Sequence, residues 1–386
     1  MNEYLDIYYY MCDGIRFNTQ VDAMIYSSSK PNIPEIKLMY HHDIWSNFDT
    51  SSLGKISLDV LYRERCLQLR EKYDYLILNF SGGSDSNNVL MSFINNNVHL
   101  DEIYVAWPKP LQDGKFYISN TMDSTARNIW SEWDYSIKPM LDWVSKHHPK
   151  IKINVDDFTE STNIKMVDNM YNDFSRLKTS FGNSLSLAAR SIINVPNKKV
   201  ARIYGIDKPL ISLNEDTNVV SMFFTDHGFT PIDFVRNLNI SPECFYWTPD
   251  LPQLPFEMAY ALSEYFNINR DKRHLMYSRK YAAQTRDNMN QLAIVSQYQN
   301  DISKKVCYTT WNNRFQVKKT VTADNSCHWF WLYENSELNS LKQAFISNSQ
   351  SIKHNISEKY IIDVNVPGSN LKATTSYLYP FRKLDQ

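Results

Sequence analysis

Residues Tyr75 to Phe93 read YLILNFSGGSDSNNVLMSF. An apolar run of strand length (YLILNF) gives way to two glycines and an aspartate set among serines. Directly after them Val89, Leu90, Phe93 and Ile94 recur at helical spacing. A buried strand passing into a helix through a glycine-serine turn leaves backbone N–H groups unpaired at the junction. Glycines there let an anion approach the main chain, and serines add hydroxyl donors. Asp85 repels a bare phosphate, so its role in such a loop runs through a divalent cation, with Mg²⁺ fitting best. The same composition also fits a tight turn in which Ser84 or Asp85 caps the helix. The lysine and spacing of the kinase-type P-loop are missing, as is GxGxxG.

Around this stretch the pattern predicts an α/β fold with a parallel sheet and flanking helices. Upstream, SLDVLYRERCLQLREKYD carries Leu58, Leu61, Tyr62, Cys66 and Leu69 on one helical face. Downstream, LDEIYVAWP reads as a second strand, which makes strand–helix–strand. IKINVDDF and KVARIYGIDKPLI suggest further strands, and VVSMFFTD a hairpin or edge strand. Long helical patterns fill much of 111–200, and a proline-punctuated loop, SPECFYWTPDLPQLPF, leads into another helix. Three regions follow: a small strand-containing lead-in over 1–55, the α/β domain over 56–265, and a mainly helical region over 266–386.

Composition excludes several classes. The chain has 386 residues, with 41 basic and 42 acidic, so no overall charge favours nucleic acid or an anionic membrane. Its apolar runs are too short to span a bilayer, and acidic residues stand near the N-terminus where a signal peptide is basic. Five widely spaced cysteines without a CxxC pair predict reduced thiols in a cytosolic protein.

The second candidate element is YGIDKP. After the strand-like VARI it puts Gly205, Asp207 and Lys208 at a sheet edge where α/β proteins bind ligands. Lys208 is a candidate pyrophosphate contact, and Asp207 a second carboxylate facing the metal. FYWTPDLPQLPFEMA (245–259) reads either as an adenine or acceptor wall or as a rigid connection packed on the core. DKRH (Lys272, Arg273, His274) reads as a solvated face before an anion contact. YHHD (40–43) and TDHG (225–228) hold ligand-type residues without zinc-helix spacing. Arg176, Lys178 and Arg190 read as surface charges.

SGGSDS, closing a strand and opening a helix, resembles the pyrophosphate-binding loop of the N-type ATP pyrophosphatases, the PP-loop superfamily. That superfamily includes the synthetase domain of asparagine synthetases, NAD and GMP synthetases and tRNA-thiolating enzymes. The resemblance implies an adenine nucleotide alpha hydrolase-like fold, with ATP and Mg²⁺ as cofactors. It implies that Ser81, Gly82, Gly83, Ser84 and Ser86 cradle the β- and γ-phosphates while Asp85 helps hold magnesium. It further implies adenylation of an acceptor with release of pyrophosphate, then displacement of AMP by a nucleophile. Catalysis then falls to Asp85, Asp207 and Lys208, and the metal to Asp85 and Asp207.

Departures from the family narrow the expectation. Asn2 stands where glutamine-dependent asparagine synthetases carry a nucleophilic cysteine, and the 80 residues before Ser81 are too few for a glutaminase domain. Ammonia or an amine, free or delivered by a partner, is then the nucleophile. The clustered cysteines of the deazaguanine enzymes and the CxxC pair of sulfur-transferring members are missing too. The expected activity is amide formation on a small carboxylate. The rivals are the same activation applied to a nucleotide or nucleic-acid base, and nucleotide binding without catalysis.

Overall fold

The structure, a computed structural model, describes residues 8–106, 133–156, 195, 197–205, 208–226, 240–278, 302–308, 353–360 and 374–384, with four single positions between 343 and 351. The lead-in forms a small antiparallel sheet of β1 (Tyr9–Cys12), β2 (Ile15–Phe17) and, after helix α1 (Gln20–Ser28), β3 (Ile36–Met39), in the order β2-β1-β3. Asp13 and Gly14 both take positive φ (52° and 75°), which gives the tight two-residue hairpin between β1 and β2. A short helix α2 (His42–Ser46) and the long helix α3 (Leu58–Lys72) then lead into the main sheet.

The predicted parallel sheet is present. β4 (Tyr75–Asn79) is followed by α4 (Ser84–Asn95) and β5 (Glu102–Ala106). A π-helical turn (Trp133–Ile137) runs into α5 (Lys138–His147) and then β6 (Lys152–Asp156). β7 (Val200–Tyr204) returns to the middle of the sheet, the hairpin β8 (Leu210–Asn214) and β9 (Val219–Phe223) lies outside it, and β10 (Ser241–Cys244) completes it. The order is β10-β7-β4-β5-β6, all parallel. The chain thus steps outward from β4 to β6, then crosses back to β4's other side. The reversal falls between β4 and β7, whose last residues, Asn79 and Tyr204, pair directly. Ligands of open α/β sheets bind outside the carboxyl ends of the strands at such a reversal.

The two faces of this sheet differ. Leu76, Leu78, Ile103, Val105, Ala201 and Ile203 share one face, and all are buried. The alternating positions give the other face Glu102, Tyr104, Arg202 and Tyr204, equally buried.

Helix α3 buries the predicted Leu58, Leu61, Tyr62, Cys66 and Leu69, and with them Arg65, which has the same spacing. Arg65 Nη2 donates to Glu243 Oε2 at 2.8 Å and to the Cys244 carbonyl at 2.9 Å. Lys72 Nζ lies 3.0 Å from Glu243 Oε1, to which the Tyr73 hydroxyl also donates. These contacts clamp α3 to β10 at the sheet edge.

Helix α6 (Gln253–Ile268) follows the proline-rich loop as expected. The described part of the C-terminal region contains helical turns, at 302–307 among others, and also strands. β11 (Tyr277–Ser278) and β12 (Tyr379–Lys383) join the hairpin in a four-stranded sheet, β11-β8-β9-β12. Asp226 binds this sheet to the lead-in: it accepts from Tyr10 Oη at 3.0 Å and from the Thr374 amide at 2.9 Å. Among the described residues no helix is long and apolar enough to cross a membrane.

Candidate active site

The glycine-serine loop leaves β4 at its carboxyl end and folds over itself. Gly83 N donates to Ser81 Oγ at 3.3 Å, Ser81 N donates to Ser86 Oγ at 3.3 Å, and Ser86 Oγ donates to the Gly83 carbonyl at 3.1 Å. Gly82 sits at φ +72°, and a Cβ there would lie 2.5 Å from Ile137 Cγ1, so only glycine fits. The Ser136 hydroxyl, from the π-helical turn, donates to the Gly82 carbonyl and fixes the loop from its other side. The helix cap is Gly83, which makes no side-chain cap. Ser84 and Asp85 stand inside the first turn, so the reading of either as a cap does not hold. No described residue accepts from the amides of Ser84, Asp85 and Ser86, which stand at the positive end of a 12-residue helix with Ser84 and Ser86 buried.

From the neighbouring strand, the chain after β7 passes so close that a Cβ on Gly205 would stand 3.0 Å from the Asp85 carbonyl carbon and oxygen and the Ser86 nitrogen. This contact sets Lys208 against the helix start. Lys208 Nζ donates to Asp85 Oδ1 at 2.5 Å, and its side chain is only 4% exposed. The Tyr308 hydroxyl donates to the same oxygen and accepts from Lys208 Nζ at 3.2 Å. Beneath them, Tyr246 Oη donates to the Asp85 carbonyl at 2.9 Å, accepts from Asn88 Nδ2 at 3.0 Å, and stacks on the Tyr308 ring.

Burial pushes the Asp85 carboxyl up, but the Lys208 charge and the hydrogen bonds from Lys208 and Tyr308 outweigh it and hold it below the ordinary carboxylate range. Burial, reinforced by the Asp85 charge, pushes the Tyr308 hydroxyl well above its usual value, so it stays a donor. Asp85 is thus an anion at neutral pH. Its Oδ2 has no hydrogen-bond partner among the described residues, and the side chain is 25% exposed. One open carboxylate oxygen beside open amides suits a magnesium ion shared with phosphates, since Mg²⁺ typically takes one or two protein carboxylates and completes its shell with phosphate and water. No cluster of three His, Cys, Asp or Glu side chains occurs among the described residues.

The fold therefore brings together Ser81 to Ser86, Gly205 and Lys208, as the sequence suggests. Asp207 lies outside the described residues, as do Arg176, Lys178 and Arg190. Sequence reasoning missed Ser136, Tyr308 and the support given by Tyr246. Tyr246 belongs to a segment the sequence does single out, but Tyr308 is 223 residues from Asp85 and carries no local signal.

Other candidates resolve into structure. Phe245, Tyr246 and Trp247 are all fully buried, so these three residues pack into the core as a rigid connection would. Glu257 accepts from the Gly54 amide at 2.9 Å, and Asp250 pairs with Lys72 at 3.0 Å. Lys272 donates to Tyr265 Oη and Arg273 to Asn267, both local contacts at the end of α6. His42 contacts Tyr379 Oη at 3.2 Å. Cys12, Cys66, Cys244 and Cys307 are free and buried, and burial pushes the Cys307 thiol up to about 12, far from a reactive thiolate.

The class defined by fold and site is an α/β protein whose parallel sheet carries a glycine-serine loop, a carboxylate and a lysine at its reversal point. No protein-family model matches the chain, and a search of curated proteins finds no significant match.

Proposed function

We propose that this chain is an AMP-forming, ATP-dependent ligase of the PP-loop type, acting on a small carboxylate-bearing acceptor and joining it to ammonia or an amine. The observation that carries the proposal is the buried Lys208–Asp85 pair at 2.5 Å, set at the carboxyl ends of β4 and β7 beside an uncapped helix start. The strand order, with its reversal at that point, supports an adenine nucleotide alpha hydrolase-like fold.

On this reading the first-turn amides of α4 and the hydroxyls of Ser81, Ser84 and Ser86 receive the β- and γ-phosphates. Asp85 offers Oδ2 to Mg²⁺, which supplies charge neutralisation between carboxylate and phosphates. Lys208 holds positive charge where the departing pyrophosphate gains negative charge. Attack by the acceptor carboxylate on the α-phosphorus breaks the α–β bond and yields an acyl-adenylate. The nucleophile then forms the amide and releases AMP, a far better leaving group than oxide. The four cysteines among the described residues, all free and buried, support a reducing, cytosolic setting.

The test is product analysis. Incubation with Mg²⁺-ATP, ammonium and a panel of amino and organic acids is expected to release AMP and pyrophosphate with at least one acid. Release of ADP and phosphate, or no acid-dependent turnover across the panel, overturns the reading.

A further inference from the structure

Among the described residues two arginines are buried, and only one of them has a counter-charge there. Arg65, 0% exposed, meets Glu243 at 2.8 Å and lies 3.9 Å from Asp250. Arg202, in the centre of β7, is 1% exposed, and its Nε and Nη2 have no hydrogen-bond partner. The described acids that share its sheet face are already taken. Glu102 accepts from Lys152 at 3.0 Å, Asn154 at 3.1 Å and Tyr75 at 3.0 Å, and Asp156 accepts from the Tyr104 hydroxyl. What remains is the Tyr104 ring, over which the guanidinium lies at 4.3 Å. A cation–π contact recovers only part of what taking an arginine out of water costs, so the ring does not offset the burial.

The position points toward the site. Arg202 pairs in register with Ile77, whereas Tyr104 pairs with Asn79, one pleat nearer the carboxyl ends. The guanidinium therefore reaches across β4 toward the loop. Tyr104 in turn accepts, through its carbonyl, the amide of Phe80, the residue before Ser81, at 2.9 Å. An uncompensated guanidinium beside the root of a ligand loop is a receptor for a planar anion, which its fork binds through two parallel hydrogen bonds.

We infer that Arg202, resting on Tyr104, is the binding site for a carboxylate of a small-molecule ligand. The site itself stands on burial and charge; only its assignment to the acceptor rests on the adenylation reading. A carboxylate held by a guanidinium fork is a poor nucleophile, so on that reading this group anchors the acceptor and a different group is adenylated.

Thermal unfolding of the full chain, without ATP, tests it with sodium succinate, neutral succinamide and inorganic phosphate at matched ionic strength. Succinate is expected to raise the wild-type unfolding temperature saturably, with succinamide inert. Arg202→Met is expected to unfold at the wild-type temperature or above it without any anion, and to lose the succinate response. Arg202→Lys, which keeps the charge, is expected to bind succinate at least about tenfold more weakly, as loss of the fork predicts. Lower stability of Arg202→Met in the absence of anion makes Arg202 a packing residue and overturns the inference. So does a wild-type response that is absent, equal for succinamide, or stronger for phosphate. If Arg202→Met fails to fold, titration calorimetry of succinate on wild type and Arg202→Lys decides instead, with equal affinity or no binding counting against the site. Because no arm uses ATP, failure here leaves AMP formation standing, and missing AMP formation leaves carboxylate binding standing.

Discussion

Two clusters in this molecule use one chemical set, a carboxylate, a cation and a tyrosine hydroxyl, with opposite outcomes. At Glu243 both oxygens are saturated: Tyr73 and Lys72 take Oε1, and Arg65 takes Oε2. The side chain is 11% exposed, and the cluster joins α3 to β10 without facing a ligand loop. At Asp85 the lysine and Tyr308 share a single oxygen, leaving Oδ2 open next to uncapped amides. A closed cluster contributes to holding the fold, while an open one keeps binding capacity. The difference lies in unfilled valence, not in residue type.

The sharpest way to break this comparison is to neutralise each carboxylate in turn. Asp85→Asn keeps the shape and the acceptor oxygen but removes the charge. AMP release is expected to fall at least about 100-fold, the scale set by removing one group that stabilises a developing charge. Stability is expected to fall as well, since Lys208, 4% exposed, is left without its carboxylate, so AMP release is compared per folded molecule. Glu243→Gln is expected to lose about 3 kcal/mol in urea unfolding, because Arg65 is left buried without its carboxylate, but with unchanged AMP release per folded molecule. Unchanged AMP release per folded molecule in Asp85→Asn, or a large loss of it in Glu243→Gln, would remove the distinction drawn here.

Acid separates the clusters further. Burial raises the Glu243 carboxyl, and the charges of Arg65 and Lys72 lower it by more, so it ends below its ordinary value. The unfolded chain then takes up the proton first. The stabilisation is complete above the unfolded value of about 4.3 and is lost as pH falls through the folded one. Urea midpoints measured from pH 6 down to pH 3 should therefore fall less steeply in Glu243→Gln than in wild type. Equal slopes would mean that Glu243 does not carry this linkage.

Much of the sheet was legible because β4, β5 and β7 announce themselves by short apolar runs, and α3 and α4 by their period. SGGSDS was legible because glycine and serine at a strand–helix junction have few physical uses. The four-stranded sheet was half legible: the hairpin β8–β9 shows in VVSMFF, whereas β12 joins from 156 residues beyond β9's last residue, Phe223 (379 less 223). Arg202 illustrates the limit from the other side. In KVARIYG an arginine between small and apolar residues reads as an ordinary strand position, and only burial without a partner gives it meaning. Tyr308 is the clearest omission, since nothing in KKVCYTT announces a contact with the helix start at Asp85.

That omission yields the smallest expected effect and the finest test of the open cluster. Tyr308→Phe keeps the ring stacked on Tyr246 and removes only the hydroxyl that donates to Asp85 and accepts from Lys208. One hydrogen bond to a charged group is worth about 1.5–3 kcal/mol where buried, and Lys208 still holds Asp85, so the loss in AMP release should be about tenfold or less. Its pH dependence is the informative part. The Tyr308 hydrogen bond helps hold the Asp85 carboxyl down, so without it the folded pKa rises and the acid limb of the pH–rate profile moves to higher pH. Activity should recover toward wild type as pH increases above that limb, which a purely structural loss would not produce. An unmoved acid limb would separate Tyr308 from the state of Asp85 and reduce the open cluster to the carboxylate and its lysine.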